Sequence, residues 1–392
     1  MKKYIKVIFA SFLVILATLG LGRFSFGMVL PNMQENLFLN TTQIGFIGTS
    51  NFIGYLIGIF FANVLYTKYN THKLILNTMI LQALAMGFMI FFTNYLALSL
   101  LYCISGFFCA IVNISIMAHI SNIVPKDIRG KVLGIVVSGS GVAIVLSGQI
   151  VPYIQDITTQ VPWKVSWSIF ALMIVILASL SQPGIKKHTK HKMPEIKLSS
   201  NKYFYIPSFW KIATLYMIFG LTYSIFVTYF VKAVIDKYQI TNSLSGDFWT
   251  ILGFASIFSG LFFGILADKV GAYKTLIFVY FIQTIAHFTL TLDLNSSVIW
   301  FSTILFGISV WSIPSLIALL ISVHFDVKRT SQILSLVTII FALCQAIGPV
   351  AAGYIYDLTN SFTTIFMITS LFTLLATILS IIFSKQPIKK ID

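Results

Sequence analysis

The sequence predicts an all-α membrane protein in which twelve transmembrane helices form two pseudo-symmetric bundles of six. Three observations lead to this fold class. Only 9% of the 392 residues are charged and 57% are hydrophobic, whereas a soluble domain carries about 25% charged residues. The chain divides into apolar runs of about the 20 residues that one span needs. These runs are continuous rather than alternating, which favours helices over a β-barrel.

Twelve of these runs are predicted to cross the membrane. In chain order they are residues 7–30, 43–66, 73–93, 95–121, 131–152, 163–181, 209–231, 248–267, 274–292, 297–322, 331–355 and 362–384. The first run follows three lysines, as a signal peptide would, but it is long and ends in Leu30-Pro31-Asn32 rather than at a small-residue cleavage site. We therefore interpret it as an uncleaved first span.

One connection is long, and it separates six predicted spans from six. Residues 182–208 are polar and basic. We therefore predict an N-terminal six-helix bundle at 1–181, a basic cytoplasmic linker at 182–208 and a C-terminal six-helix bundle at 209–392.

The positive charges predict the orientation of the spans. With both termini inside, 22 of the 26 Lys and Arg residues fall in inside loops or span ends, and only Lys164, Lys232 and Lys237 fall outside. The remaining one is Arg23. The positive-inside rule then predicts cytoplasmic termini in a bacterial-type cytoplasmic (inner) membrane. The net charge of +15 therefore reflects topology, and we expect no nucleic-acid partner.

The cysteines and acids predict neither a metal site nor an enzyme. Cys103, Cys109 and Cys344 lie inside apolar runs with no CxxC spacing, so we interpret them as packing residues and expect no metal or cofactor. The sequence contains no HExxH motif, no paired intramembrane acids and no convincing Ser-His pair.

Two loops at equivalent places in the halves share one pattern. The loop after the eighth span is Gly264-x-x-x-Asp268-Lys269-x-Gly271-x-x-Lys274, and the loop after the second span, 201 residues earlier, is Asn63-x-x-x-Thr67-Lys68-x-Asn70-x-x-Lys73. Asn is the best substitute for Gly where a turn needs a positive φ. The identical spacing indicates an internal repeat.

This organisation resembles the major facilitator superfamily over essentially the whole chain. The first two spans, from Gly22-Arg23-Phe24 to Gly45-x-x-Gly48-Thr49-x-Asn51-x-x-Gly54-Tyr55, are similar to its YbfB/YjiJ-type branch. The resemblance implies the major facilitator fold, a small-molecule substrate and alternating access to a site between the halves. It also implies that the loop motif gates the cytoplasmic side, where the gating residues would be Gly264, Asp268, Lys269, Gly271, Lys274 and, at the start of span eleven, Arg329.

Arg23 is the one cation placed well inside an apolar run. A guanidinium stays protonated, and its insertion costs at least about 2.5 kcal/mol. One interpretation is that Arg23 snorkels outward or pairs with Glu35 or Asp247. The other is that it contacts an anionic ligand, because Gly20 and Gly27 on nearly the same helix face leave room for a ligand or for a closely packed helix.

Further substrate-site candidates are polar or aromatic residues within spans. The resemblance implies that spans one, four, seven and ten line the cavity, and Pro314 is expected to bend span ten there. The predicted substrate-binding residues are Arg23, Asn51, Tyr55, Asn113, Tyr223 and Trp311. Hydrogen bonding between helices is the alternative role for each of the others. The glycines of span five and Gly348-Pro349 are interpreted as close-packing or bending elements.

Several functions remain open from the sequence. The first is a secondary active transporter of a small organic solute with an anionic group, since no Asp or Glu lies deep in a span to bind a cation. The second is an efflux carrier for apolar or drug-like compounds, supported by 36 Phe and 17 Tyr. The third is a non-transporting receptor or scaffold. Coupling to a proton is left open, and a monomer in the lipid bilayer is expected.

Overall fold

Twelve long helices contain most of the residues that the computed structural model describes, which are 2–158, 161–185, 201–293 and 296–385. They are α1 (Ile5–Asn36), α2 (Thr41–Lys68), α3 (Thr71–Met89), α4 (Tyr95–Ile123), α5 (Lys126–Ile157), α6 (Pro162–Ser181), α7 (Pro207–Tyr238), α8 (Asn242–Val270), α9 (Ala272–Thr289), α10 (Ser297–His324), α11 (Val327–Thr359) and α12 (Phe362–Ser384). Within these described ranges there is no strand. Ten of the twelve, all except α3 and α9, qualify as membrane spans by length and composition. The prediction of a twelve-helix membrane protein is confirmed.

Most helices extend beyond the predicted apolar runs, because caps and helix breakers rather than hydropathy set their ends. Helix α2 begins after a capping box in which Asn40 and Gln43 each bond the other's backbone N–H. Helix α7 begins at Pro207, and Gln239 in the left-handed conformation ends it. Proline is tolerated in a first helical turn, because the backbone N–H that it lacks would have no intrahelical acceptor there.

The two bundles repeat the same contacts at an offset of 201 residues. A Cβ atom added to Gly106 of α4 would collide with the Asn51 carbonyl of α2. In the second bundle, Gly307 of α10 lies against the Leu252 carbonyl of α8 in the same way. Both residues of the first pair lie 201 positions before those of the second. The internal repeat predicted from two loops therefore extends into the packing of the helices.

The most extensive contacts between the bundles are those of α2 with α11 and of α5 with α8. These two contacts are also equivalent, because Gly45 of α2 lies against Pro349 and Gly246 of α8 lies against Gly148, again offset by 201. The contacts cluster near the α1–α2 and α7–α8 connections, which we call the closed end. Small residues permit this close approach, as the interpretation of the span-five glycines requires.

Near the α2–α3 and α8–α9 connections, which we call the open end, α5 and α8 are not packed together at their glycines. Four glycines show this, Gly130 and Gly134 of α5 and Gly260 and Gly264 of α8. A Cβ atom added to any of them would have no other atom within 4 Å, apart from its own helix backbone and chain neighbours. Gly141 and Gly148 of α5, toward the closed end, contact α8 directly. A central space between the bundles is therefore closed at one end of the molecule and more open at the other. The predicted topology assigns the closed end to the outside.

Side chains also lock the closed end. The Thr49 hydroxyl donates to the Ala346 carbonyl at 2.7 Å and accepts from the Val350 N–H at 3.2 Å. In an unbroken α-helix the Val350 N–H would donate directly to the Ala346 carbonyl. Here the Thr49 hydroxyl is inserted between these two groups, in the turn that contains Pro349, and such an insertion is a known cause of helix bending. The prediction that Gly348-Pro349 is a bending or packing element fits this contact. The predicted bundle boundaries stay a prediction, since linker residues 186–200 lie outside the described residues.

Candidate functional site

The centre of α1 is a π-helical segment, Leu16–Phe24, between two α-helical segments. A π-helix has one extra residue per hydrogen-bonded turn, and such turns occur frequently at functional sites. Three neighbouring side chains donate hydrogen bonds to its backbone. Gln82 of α3 and Cys109 of α4 donate to the Thr18 carbonyl at 2.9 and 3.3 Å, and the Tyr102 hydroxyl donates to the Arg23 carbonyl at 3.2 Å. Sequence analysis gave no indication of this segment.

Glycines let neighbouring helices approach this segment. Gly20 lies against Ala143 of α5, and Gly22 lies against the Gln82 amide. Gly27, one turn beyond Arg23, lies against the Val227 carbonyl of α7. Of the two uses predicted for Gly20 and Gly27, the structure has closely packed helices rather than open space.

Arg23 is 7% exposed, and its guanidinium lies over two aromatic rings. Its Cζ atom is 4.2 Å from the centroid of the Phe52 ring and 4.7 Å from that of Tyr55. A cation within about 6 Å of a ring face is attracted by the ring quadrupole, and the attraction reaches about 2 kcal/mol when the pair is desolvated. Two rings therefore offset part of the cost of burying the charge.

Two of the three guanidinium nitrogens of Arg23 are buried without a hydrogen-bond partner among the described residues. They are Nε and Nη2. Arg23 lines a cavity of about 10 Å³ together with Asn51, Tyr102 and Thr228, among others, which is room for about one water molecule. Two buried donors without an acceptor are costly. An anionic group that accepted from Nε and Nη2 of Arg23 would remove that cost.

The outer acids considered as partners of Arg23 lie elsewhere. Glu35 is exposed near the end of α1, and Asp247 is exposed at the closed end with its Oδ1 3.3 Å from Nε2 of Gln149. Among the described side chains, no carboxylate forms a salt bridge with Arg23. The snorkelling and acid-pairing interpretation therefore does not describe this structure.

Tyr55 and Asn113 extend the site across the first bundle. The Asn113 amide donates to the Tyr55 hydroxyl at 2.6 Å, and the Tyr55 ring carries the Arg23 guanidinium. The Asn113 carbonyl oxygen is without a hydrogen-bond partner in the described part of the chain. Side chains from α1, α2 and α4 thus meet in one polar group beside the charge.

Phe24 connects this group to the second bundle. Its ring centroid is 5.1 Å from Trp311 and 6.5 Å from Tyr223, and Trp311 and Tyr223 are 5.7 Å apart. Trp311 sits at a break in α10 between Ser297–Val310 and Ser312–His324. The break lies three residues before Pro314, which cannot donate to residue 310. The expected bend of this helix is thus present.

An aromatic wall continues from Tyr223 along α7 and α11. Phe341 of α11 stacks on Tyr216 with centroids 4.2 Å apart, and Phe219 stacks on Tyr223 at 5.2 Å. We define this aromatic wall as Tyr216, Phe219, Tyr223 and Phe341. Sequence analysis named Tyr223 but missed Phe24, Phe52 and Phe341, because one Phe among 36 carries no signal until its neighbours are known.

Asn51 has a different position from the other predicted site residues. It lines the cavity at Arg23, but its amide donates to the Tyr102 carbonyl at 3.1 Å, and its backbone packs on Gly106. The structure thus brings Arg23, Tyr55 and Asn113 together on one side. Tyr223 and Trp311 face them across Phe24.

The predicted gating motif lies at the open end. Helix α8 ends at Val270, and Gly271, with φ +90°, makes the turn into α9. This conformation explains the glycine in the motif. Asp268, Lys269 and Lys274 stay a prediction as gating residues, as does Gly264. The proposed partner of Asp268 cannot be placed, since the Arg329 side chain lies outside the described residues.

A different acid, which sequence analysis missed as a gating residue, joins the bundles at the closed end. Asp357, near the end of α11, accepts hydrogen bonds from the backbone N–H groups of Thr41 and Thr42 at 3.0 and 2.8 Å. It therefore caps the first turn of α2 from the opposite bundle. Nearby, the Tyr229 hydroxyl lies 2.8 Å from the Pro349 carbonyl and 3.1 Å from the Thr41 carbonyl.

Comparisons with known sequences place the whole chain among membrane carriers. A family model described as "Uncharacterised MFS-type transporter YbfB" matches residues 15–381. An uncharacterised MFS-type transporter, YceJ of Bacillus subtilis (strain 168), is 23% identical over 373 residues, which cover 93% of each chain. A hexuronate transporter of the same organism is 24% identical over 273 residues, covering 66% of the present chain and 64% of that relative. The chain therefore spans less than two thirds of the hexuronate transporter.

Solved structures share the fold at low sequence identity. A mutant form of the nucleoside transporter NupG superimposes with a TM-score of 0.78 at 11% identity, covering 97% of the present chain and 100% of that one. A bacterial homologue of the human lysosomal transporter Spinster, in an inward-facing and unoccupied conformation, gives a TM-score of 0.75 at 12% identity, covering 97% and 96%. At these identities the likeness concerns the fold alone.

Proposed function

The chain belongs to the YbfB-type family of major facilitator superfamily transporters, and we propose that it carries a small organic anion across the membrane by alternating access. The family makes it an integral multi-pass membrane protein with a small-molecule substrate, and not an enzyme. The anionic substrate and the mechanism are our inference.

One observation carries the proposed substrate class, the buried guanidinium of Arg23, which has no carboxylate partner among the described side chains. Arg23 is 7% exposed, two of its guanidinium nitrogens lack acceptors among the described residues, and the residue lines a water-sized cavity. A carboxylate would supply a charge-assisted, potentially bidentate partner. The hexuronate transporter among the relatives carries, by its name, a sugar acid, which supports the same class of substrate.

The packing of the bundles supports alternating access. The central site lies between a closed end, held by α2 with α11 and by α5 with α8, and an open end where the glycines of α5 and α8 have no neighbour. Rocking of one bundle against the other would exchange the two ends around a fixed site. With both termini in the cytoplasm, as the positive-inside rule predicts, this conformation faces inward.

The aromatic wall favours a second candidate, an efflux carrier for apolar or drug-like compounds. Stacked rings from α7 and α11 would receive a flat or apolar body next to Arg23. We rank this second, because burying Arg23 would be an unexplained cost in a site for neutral apolar molecules. An anion with an apolar or ring-shaped body would use both features.

Ligand-dependent thermal stability of the purified protein in lipid nanodiscs tests the proposal. A ligand stabilises the folded state by RT ln(1 + [L]/Kd), so carboxylates such as D-glucuronate should raise the melting temperature of the wild type. They should not raise that of Arg23→Ala. Lys164→Ala is the matched control, because it also removes one cation but outside the central site. Equal stabilisation of wild type and Arg23→Ala would contradict the proposal, as would stabilisation by apolar compounds alone.

Transport in proteoliposomes separates a carrier from a receptor that only binds. We expect the wild type to move labelled glucuronate, and Arg23→Ala to fold but not to transport. Running the assay with and without a pH gradient addresses the coupling proton, which the proposal leaves open between symport, antiport and uncoupled passage. A monomer in the bilayer is the oligomeric state that we propose, to be checked by mass photometry of the same nanodiscs.

A further inference from the structure

Gln82 lies against the π-helical segment that carries Arg23. Its side chain is fully buried on α3, and its amide nitrogen donates to the Thr18 carbonyl at 2.9 Å. The same amide packs against Gly22, where any side chain would collide with it. Gln82 therefore contacts the π-helical segment at two residues, five and one positions before Arg23.

A π-helical turn is less favourable than an α-helical one, so it persists where the surroundings support it. Here the support comes from outside α1. Thr18 accepts from Gln82 and also from Cys109 of α4, and Tyr102 holds the Arg23 carbonyl. If the segment became a regular α-helix, its turns would no longer contain an extra residue. Arg23 would then rotate about the helix axis by roughly 100°, the angle that one residue of an α-helix spans. That rotation would take the guanidinium off Phe52 and Tyr55.

We propose that Gln82 is a positioning residue for Arg23: by holding the Thr18 carbonyl and packing on Gly22, it keeps the π-helical segment that aims the guanidinium at the central site. Gln82 does not touch the proposed anion and acts through Arg23. The inference rests on the proposed function, because it assigns Gln82 a part in anion binding.

The second bundle supplies a matched control. Gln283 of α9 lies 201 residues after Gln82 and is equally buried. Neither amide atom of Gln283 has a hydrogen-bond partner in the described part of the chain, and the facing helix α7 is α-helical throughout. The same substitution at Gln283 therefore removes a buried amide without removing support from a π-helical segment.

A ligand-free measurement tests the positioning itself. The chain has three arginines, Arg23, Arg129 and Arg329, so guanidinium ¹⁵N labelling gives few NMR signals, and Arg23→Lys assigns one of them. Ring currents of Phe52 and Tyr55 should shift the Arg23 Hε resonance upfield in the wild type. In Gln82→Met, which keeps the volume but not the donor, the resonance should return toward the range of the other two arginines. It should stay in place in Gln283→Met.

Anion binding then tests the consequence in the full-length protein in nanodiscs, with D-glucuronate as the probe. Loss of one net hydrogen bond predicts about three- to tenfold weaker binding by Gln82→Met. Gln283→Met, which leaves the support of the π-helical segment in place, should bind the probe as tightly as the wild type does. Should Gln82→Met fail to fold, Cys109→Ala removes the other donor to Thr18 and should move the Arg23 resonance in the same direction.

The outcomes separate this inference from the proposed function. An unchanged Arg23 resonance in a folded Gln82→Met protein overturns the positioning role, whatever the anion data. Equal losses of affinity in Gln82→Met and Gln283→Met overturn it as well, because they indicate general packing. If glucuronate binds equally to wild type and Arg23→Ala, or to neither, the proposed function fails for this probe, while the NMR result still decides the role of Gln82.

Discussion

Asp357 accepts two hydrogen bonds from Thr42, one from its backbone N–H at 2.8 Å and one from its hydroxyl at 2.5 Å. The two residues are 315 positions apart, at the end of α11 and the start of α2. A carboxylate at the N-terminus of a helix satisfies free N–H groups and interacts favourably with the helix dipole. Here the capping residue belongs to the opposite bundle, so the cap exists only while the closed end is closed.

Asp357→Asn should weaken the closed end. The amide keeps the shape but loses the charge and one acceptor oxygen, so a loss of about 0.5–1 kcal/mol is expected for this partly exposed cap. That loss corresponds to a shift of a few-fold toward conformations in which the end is open. Spin labels at Phe38 and Gln239, which are exposed near this end on different bundles, should show a larger population of long distances by double electron–electron resonance.

Asp156→Asn is the control for this substitution. Asp156 lies 201 residues before Asp357, at the equivalent end of α5, and is exposed. It should leave the label distances unchanged. A distance distribution that stays closed in Asp357→Asn would show that the cap does not contribute to gating.

Gly246→Ala should disturb the same end through packing rather than charge. An added Cβ collides with the Gly148 carbonyl of α5, and backbone cannot move aside as a flexible side chain can. The closed conformation should lose population, seen with the labels at Phe38 and Gln239. Gly260→Ala on the same helix is the control, because that position has open space. It should be neutral or stabilising by up to about 1 kcal/mol from helix propensity.

Tyr55→Phe should separate the two roles of Tyr55. The ring that carries Arg23 stays, but the 2.6 Å hydrogen bond from Asn113 is lost. Since a polar group left unpaired costs more than an absent pair contributes, Tyr55→Phe should lower stability by about 1 kcal/mol. Adding Asn113→Leu should recover part of that loss. The melting temperatures of the two single variants and the double variant measure this coupling, and strictly additive changes would contradict it.

Hydropathy and charge were sufficient for the architecture. A span needs about 20 apolar residues, and the cost of one deep guanidinium distinguishes Arg23 from the other cations in the sequence alone. Tyr55 and Asn113 could be named because polar side chains inside spans are few. Their grouping with Arg23, however, depends on which way each helix faces.

The details of the site could not be predicted, because they depend on the phase of α1 and on contacts between distant residues. The sequence of Leu16–Phe24 gives no pattern that distinguishes a π-helical from an α-helical turn, so neither the contact of Phe52 with Arg23 nor that of Gln82 with the segment could be assigned. The 201-residue offset that links two loops also links Gln82 with Gln283 and Asp156 with Asp357. Only the packing shows that one member of each pair makes contacts that the other does not.

Asp268→Asn should act in the direction opposite to Asp357→Asn, if the loop motif gates the cytoplasmic side as the family resemblance implies. Asp268 lies at the open end, and removing its charge should weaken closure there and favour the conformation seen in this structure. Labels at Tyr69 and Val270, exposed at the ends of α2 and α8, should then report longer distances. Because the two acids would act on opposite ends of one equilibrium, the double variant should lie between the single variants. If Asp268→Asn leaves both label pairs and transport unchanged, the motif has no gating role in this protein.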